Sequence, residues 1–368
     1  MQKEAQEEIK KTHDQFLKVF DLAKDGVYLY GAGFVGRWAV EYLDKLNIPV
    51  LGILDSDEKR WGSSFEGKSI LNPFDADPSN RAPILISARH AVPAVKRRLG
   101  DLSCPVMSID SFAVHQTGTE AIEKVEALLS HNQKSLDTYH AILMAMLTGF
   151  TDPLARNSNS NAFFNEFGFF NRSSEIFVDA GAYVGDSLER FIWSVNGVFS
   201  AIHAFEPGKP QFNALQRRVE RLEKEWATNP DTIFLMNKGL SCESFKTELD
   251  HEAPLIQTRL KNKKEMAEKS GQRVGSVEVV SLDEYFGGDP FTFLKVDVEG
   301  SEAELIDGAT EIIHCHRPRI ALSVYHYPTD IFTLPILCAE KNADYVFTLQ
   351  HHSSQLMDTV LYCKDQAE

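Results

Sequence analysis

A glycine-rich turn near the amino terminus of this 368-residue chain has the residue types and spacing of a nucleotide site. Gly31, Gly33 and Gly36 follow the predicted strand 27–30 and open a predicted helix, and Asp55 ends the next predicted strand. Glycines at this spacing allow a phosphate to approach a helix N-terminus, and the acid can bind two ribose hydroxyls. Alternatively, the glycines only let the helix pack tightly on the strand. The motif predicts nucleotide binding, with tight packing as the competing interpretation.

A second glycine-rich turn lies between a predicted strand and a predicted helix at 179–187. An acid at the end of the strand leaves little room for a pyrophosphate, but it suits S-adenosylmethionine, which has a positive centre and an amino-acid tail. Gly181 and Gly185 would allow backbone approach, Asp179 would lie near the aminoacyl end, and Glu206 would accept the ribose hydroxyls. The alternative is a tight turn with a helix-capping Asp. The predicted cofactor-binding residues are Asp179, Gly181, Tyr183, Gly185, Asp186, Glu206 and Pro207.

A third motif places three charges on one face of the predicted strand 291–298 and its continuation. Lys295, Asp297 and Glu299 alternate with apolar residues, so their side chains share a face. Such charges are costly in a central strand unless they pair or serve a site, and the carboxyl end of the strand is where doubly wound sheets bind ligands. Asp297 and Glu299 are therefore predicted to border a cleft, although Lys295 could instead form a buried ion pair with Asp297.

Four motifs stand out in the range 163–368: V-D-A-G-A-Y-V-G-D-S from Val178, H-A-F-E-P from His203, L-K-V-D-V-E-G-S-E from Leu294 and S-V-Y-H-Y-P-T-D from Ser323. Through these motifs the range resembles the FkbM-like methyltransferases, a branch of the class I S-adenosylmethionine-dependent fold. The family commonly has Asn where Tyr183 stands, so this chain departs from the pattern at a predicted cofactor contact. The range 26–110 separately resembles the Rossmann-like nucleotide- or sugar-nucleotide-binding domains of some sugar-modifying enzymes.

The resemblance implies transfer of a methyl group from S-adenosylmethionine to a hydroxyl of a sugar, glycan or natural-product-like acceptor. A hydroxyl needs a base to remove its proton, and a divalent metal held by Asp297 and Glu299 is the alternative. His326 can be read as catalytic or as a hydrogen-bonded loop residue. Two other functions stay open: an NAD(P)-dependent oxidoreductase using the first turn, and a non-catalytic nucleotide-binding protein. The predicted catalytic residues are Asp297, Glu299, His326 and Lys295.

The order of the predicted strands and helices that would position these residues indicates an α/β protein in four parts. They are an N-terminal helix at 1–25, a Rossmann-like domain at 26–115, a helical connector at 116–162 and a methyltransferase domain at 163–368. The last part alternates strands and helices and ends in two consecutive strands, which predicts a doubly wound, mostly parallel sheet with one antiparallel C-terminal strand. The aromatic residues that follow the connector are expected to seal this domain or wall its pocket: Phe163, Phe164, Phe167, Phe169 and Phe170.

Composition excludes several classes of partner. With 38 Lys+Arg against 53 Asp+Glu, the formal charge of -15 repels nucleic-acid polymers and anionic membranes. The five scattered cysteines predict reduced thiols and a cytoplasmic location, and the longest apolar run, 141–147, is too short for a membrane span. The one basic cluster, 259–273, is either a solvated face or a lid over an anionic substrate such as a nucleotide-linked or phosphorylated sugar.

Overall fold

The computed structural model describes residues 2–74, 82–100, 103–157, 162–164, 174–248 and 276–367. The chain divides into two compact units, each built around its own large sheet, and the second unit also has a three-stranded sheet. The first unit comprises 1–159, 325–333 and 351–359, and the second comprises 160–324, 334–350 and 360–368. The fold is α/β, as predicted. No helix in the described ranges combines the length and the apolar character needed to cross a membrane.

The first unit is built around a six-stranded sheet with the order β3-β4-β2-β1-β5-β6. The strands from β4 to β6 run parallel. Strand β1 pairs with β2 on one side and with β5 on the other, so the strand order extends from β1 in both directions. The sheet therefore has a topological switch point beside β1. Its elements are α1 (Gln2–Leu22), β1 (Val27–Tyr30), α2 (Phe34–Lys45), β2 (Val50–Leu54), β3 (Ser64–Phe65), β4 (Lys68–Leu71), β5 (Ile84–Ile86), α3 (Val92–Arg98), β6 (Val106–Ser108), α4 (Ile109–Thr117), α5 (Thr119–Leu129), α6 (Gln133–Thr148) and α7 (Asp152–Asn157).

The helices at 119–157 pack as part of this first unit, so the range predicted as a separate connector, 116–162, is not a separate part where the structure describes it. Helix α6 contacts α1, α4, α5 and α7. Its side chains are buried on nearly every side, and a helix that is apolar all round is stable only when neighbours cover it. On α1, Phe16 and Val19 are buried, and the ring of Phe16 lies 5.4 Å from that of Phe112 on α4.

The second unit is built around a seven-stranded sheet with the order β15-β16-β14-β13-β7-β8-β9. The strands from β9 to β14 run parallel, and β16 runs antiparallel to β14, which confirms the predicted sheet. Its elements are β7 (Ile176–Ala180), α8 (Asp186–Ser194), β8 (Ala201–Phe205), α9 (Lys209–Trp226), β9 (Ile233–Met236), β10 (Gly239–Leu240), β11 (Phe245–Glu248), β12 (Ser276–Val280), α10 (Leu282–Phe286), β13 (Phe293–Val296), α11 (Glu302–Asp307), α12 (Thr310–His316), β14 (Arg319–Ser323), α13 (Asp330–Lys341), β15 (Tyr345–His351) and β16 (Thr359–Asp365).

One predicted helix of this unit, 301–314, is two helices in the structure. Helices α11 and α12 are separated at Gly308, where a Cβ would lie only 2.1 Å from the backbone oxygen of Ser241. The break therefore accommodates a backbone segment that is distant in sequence.

Stacked aromatic rings form the centre of the second unit's core. The ring of Phe177 lies 4.3 Å from that of Phe191 and 5.1 Å from that of Phe293, so β7, α8 and β13 are joined directly. Phe164 packs edge-on against this stack. Phe164 thus seals the core as predicted, whereas Phe167, Phe169 and Phe170, like the basic cluster at 259–273, lie outside the described residues.

Candidate cofactor and active site

A cavity of about 180 Å³ opens in the second unit at the carboxyl ends of β7, β8 and β13. This edge is where side chains and backbone N–H groups from neighbouring parallel strands converge on a ligand. The predicted site residues that it brings together are Gly181, Tyr183, Asp186, Glu206, Pro207, Lys295, Asp297 and Glu299. The cavity is also lined by Phe163, Ser187, Arg190, Phe205, Lys238, Gly239, Leu240 and Val298.

The turn after β7 needs its glycines for two reasons. Gly181 and Gly185 have φ angles of 78° and 84°, in the region that side chains disfavour. A Cβ at Gly181 would also lie 1.9 Å from the carbonyl oxygen of Asp297, so the turn approaches the end of β13 at backbone contact distance. Tyr183 adopts a φ of 48°, a conformation that Asn tolerates better than Tyr does.

Glu206, directly after β8, is held by the backbone of two turns. Its Oε2 accepts a hydrogen bond from the Tyr183 N–H at 3.0 Å, and its Oε1 accepts one from the Gly208 N–H at 2.7 Å. The residue is only 3% exposed, yet it lines the cavity. Hydrogen bonds from backbone N–H groups favour an ionised carboxylate and fix its orientation. The wall of the cavity therefore carries a rigid acceptor group.

Beneath the turn, Lys295 and Asp179 form a buried ion pair. Lys295 Nζ lies 3.1 Å from Asp179 Oδ1 and donates to the Gly181 carbonyl at 2.7 Å, while the Ser187 hydroxyl donates to Asp179 Oδ2 at 2.6 Å. Asp179 has no exposed surface and does not line the cavity. The strand pattern suggested an ion pair of Lys295 with Asp297, whereas the structure places Asp179 at ion-pair distance from Lys295.

Burial alone would lower the pKa of Lys295, but the carboxylates of Asp179 and Asp297 outweigh this effect and raise it. Burial raises the pKa of Asp179, while Lys295 and Ser187 oppose that rise. A lysine with a raised pKa stays protonated, so the ammonium group of Lys295 orients the turn and cannot accept a proton.

At the end of β13, the predicted acids receive support from two residues that the sequence did not single out. The Ser323 hydroxyl, at the end of β14, donates to Asp297 Oδ1 at 2.9 Å. Glu302 is buried and accepts from the Val298 N–H at 2.9 Å, which anchors the segment that carries Glu299. Both residues stand inside the motif runs from Leu294 and Ser323, which is the one signal in the sequence that could have identified them.

His326 belongs to the segment 325–333, which is part of the first unit. Its ring is buried and lies 6.2 Å, edge-on, from the ring of Phe34, and Arg89 donates to the neighbouring Tyr325 carbonyl at 2.8 Å. His326 is not among the residues that line the cavity, so its catalytic role stays a prediction.

The first glycine-rich turn has a different arrangement. Asp55, predicted to bind ribose hydroxyls, is engaged by Arg60 Nη1 at 2.9 Å through Oδ2 and by the Asp57 N–H through Oδ1. A Cβ at Gly36 would lie 2.3 Å from the Gly31 oxygen, as the packing interpretation requires, whereas a Cβ at Gly33 would meet nothing within 4 Å. Nucleotide binding at this turn stays a prediction.

Comparison with known proteins assigns most of the second unit to a methyltransferase domain. Residues 179–353 match the family model of the methyltransferase FkbM domain. The fold resembles the crystal structure of methyltransferase FkbM from Methylobacillus flagellatus KT over 99% of both chains, with 20% identity and a TM-score of 0.60. A putative rRNA methylase from Clostridium thermocellum is similar over 52% of this chain and 86% of that chain, with 9% identity and a TM-score of 0.32. A search of curated proteins found no match. Residues 179–353 are therefore identified as a methyltransferase FkbM domain.

Proposed function

We propose that this protein transfers the methyl group of S-adenosylmethionine to a hydroxyl oxygen of a sugar, glycan or natural-product-like acceptor. The observation that carries the proposal is Glu206, whose carboxylate is fixed by two backbone N–H groups on the wall of the cavity of an FkbM domain. An ionised carboxylate only accepts hydrogen bonds, which matches the two hydroxyl donors of a ribose.

In this proposal the cofactor would bind at the turn after β7. Glu206 would hold its ribose, and the backbone of Gly181 would line the wall beside it. The cofactor supplies an activated methyl group on a sulfonium centre. The residues of this chain then hold the acceptor oxygen in line with that methyl group, and such positioning supplies much of the rate enhancement in a transfer reaction.

The acceptor hydroxyl must lose its proton as its oxygen forms the new bond. Asp297 and Glu299 line the cavity beside the turn, and Ser323 fixes Asp297 by a hydrogen bond. We assign the proton to one of these two carboxylates, since Lys295 is already protonated. Activity that persists in a metal chelator would support this assignment over a divalent metal bound by Asp297 and Glu299, the alternative that the sequence suggests.

Calorimetric titration with S-adenosylhomocysteine tests the cofactor site. Glu206→Gln keeps the size of the side chain but removes its charge, and it should weaken binding at least about tenfold because charged hydrogen bonds contribute about 1.5–3 kcal/mol. Asp55→Asn is the matched control, since Asp55 occupies the equivalent place after the first turn and should leave this affinity unchanged.

Two results would contradict the proposal. One is equal affinity of Glu206→Gln and wild type for S-adenosylhomocysteine, and the other is binding of NADH alone by the wild-type protein. The acceptor is then identified by mass spectrometry of products after incubation with a labelled methyl donor and candidate glycans or nucleotide sugars.

A further inference from the structure

We propose that Asp186 and Arg190 together bind the charged amino-acid tail of S-adenosylmethionine, Asp186 its ammonium group and Arg190 its carboxylate. The inference rests on the proposed function and replaces a specific expectation. The sequence assigned the aminoacyl end to Asp179, but Asp179 is buried beneath the turn, paired with Lys295 and absent from the cavity wall. Another group must therefore recognise the tail.

Both residues lie on α8 and line the cavity. They are four positions apart, so their side chains leave the same face of the helix with Cβ atoms about 5–6 Å apart. An α-amino acid presents a positive and a negative group on one carbon atom. One acid and one guanidinium on neighbouring turns form a complementary pair for such a zwitterion, and a guanidinium binds a carboxylate by two parallel hydrogen bonds.

Neither side chain has a hydrogen bond or an ion pair in the part of the chain that the structure describes. This is notable on α8, because Glu189 of the same helix pairs with both Arg218 and Arg221 of α9, at 3.1 Å and 2.8 Å. Asp186 and Arg190 even have the favourable order for a pair within a helix, with the acid nearer the N-terminus. They nevertheless remain separate at the edge of a cavity, where a ligand can reach both.

The other cations that line the cavity are already engaged. Lys295 pairs with Asp179, and Lys238 pairs with Glu278 at 3.1 Å. Among the described lining residues, Arg190 is therefore the cation that a ligand carboxylate can recruit without breaking an existing pair. The charge of Asp186 also contributes to raising the pKa of Lys295, so its field extends into the buried floor of the turn.

Two ligands that differ only in the tail test this assignment. S-adenosylhomocysteine carries the amino-acid group, whereas 5′-methylthioadenosine has the same adenosine and thioether without it. Arg190→Gln and Asp186→Asn should each weaken binding of S-adenosylhomocysteine at least about tenfold and leave binding of 5′-methylthioadenosine within about twofold of wild type. Arg190→Lys should recover part of the loss. Arg217→Gln, an exposed arginine of α9 away from the cavity, is the control for removal of a positive charge.

Each outcome separates the two proposals. If wild type binds S-adenosylhomocysteine and either of the two variants binds it equally well, the paired assignment is wrong and the proposed function stands. If a variant loses both ligands equally, the residue acts on the shape of the cavity and the assignment is again wrong. If wild type binds neither ligand, the proposed function itself fails. Thermal unfolding of each variant verifies that its fold is intact.

Discussion

The two glycine-rich turns of this protein begin with similar sequences and end with different structures. Each follows a buried strand, opens a helix and has an acid at the end of the next strand. At the first turn that acid, Asp55, forms an ion pair with Arg60, which also donates to the Ala32 carbonyl. At the second, Glu206 is held by backbone N–H groups and faces a cavity. The glycines alone therefore do not distinguish the two turns, and the environment of the acid does.

The charge pairs of the two turns differ as well. The pair at the second turn, Lys295 with Asp179, is almost completely buried, with side chains 3% and 0% exposed. The pair at the first turn, Arg60 with Asp55, is 38% and 14% exposed. Burying a pair costs desolvation of both ions, and loss of one partner then leaves an uncompensated charge. The second turn is therefore the more vulnerable of the two.

The largest effect is expected from a methyl group added at the closest approach in each turn. Gly181→Ala and Gly36→Ala place a Cβ at 1.9 Å and 2.3 Å from a backbone oxygen, and Gly181 also has a positive φ. Overpacking of this kind should lower the free energy of unfolding by about 3 kcal/mol or more. Gly33→Ala, with open space at its Cβ, should change it by less than about 1 kcal/mol.

The measurement must separate the two units. Trp38 and Trp61 lie in the first unit and Trp193 and Trp226 in the second, so fluorine NMR of protein labelled with 5-fluorotryptophan follows each unit during urea unfolding. Gly36→Ala should lower the urea concentration at which the signals of Trp38 and Trp61 report unfolding. Gly181→Ala should do the same for Trp193 and Trp226. If Gly33→Ala proved as damaging as Gly36→Ala, the packing account of the first turn would be wrong.

A smaller but still large effect is expected from breaking the charge pairs. Lys295→Met leaves Asp179 buried without its partner and should cost about 3–5 kcal/mol at neutral pH. Arg60→Gln removes a partly exposed partner and should cost about 0–1 kcal/mol. Urea unfolding of both variants compares these values directly, and similar losses would contradict the difference between the turns.

The pH dependence of Lys295→Met identifies the group that causes its loss of stability. Burial without the ammonium group raises the pKa of Asp179 above its value in the unfolded chain. When the pKa of an acid is higher in the folded protein than in the unfolded chain, the folded protein binds the proton more tightly. The free energy of unfolding therefore decreases as the pH rises through that pKa. The difference in stability between Lys295→Met and wild type should therefore shrink as the pH falls, and a constant difference would exclude Asp179 as its cause.

The sequence predicted many of the elements of both units and eight of the sixteen residues that line the cavity, because periodicity and strand ends are local features. It did not predict the partner of Lys295. The strand pattern offered Asp297, two residues away on the same face, whereas the structure pairs Lys295 with Asp179, its direct neighbour in the register between β13 and β7. Register is a property of two strands, so it cannot be read from one. The break at Gly308 likewise depends on a segment that is distant in sequence. The ion pair of Asp55 with Arg60 is local, but the glycine motif predicted a ribose as the partner of Asp55 and gave no reason to consider Arg60.

The smallest effect concerns Tyr183, where the second turn departs from the family pattern. Its φ of 48° is unfavourable for Tyr, and Asn adopts this region more readily. Its side chain lines the cavity, but its backbone N–H is the group that holds Glu206. Tyr183→Asn should therefore raise the free energy of unfolding of the second unit by about 0.5–1 kcal/mol and keep the hydrogen bond to Glu206.

Tyr183→Ala separates the conformational gain from the loss of the ring, because Ala shares the strain of Tyr at positive φ and gains nothing from it. Urea unfolding should thus rank Asn as the most stable of the three residues. If Ala stabilised as much as Asn, the ring itself would be the source of strain. The strain at Tyr183 would then come from the packing of its side chain, and the positive φ of its backbone would carry none.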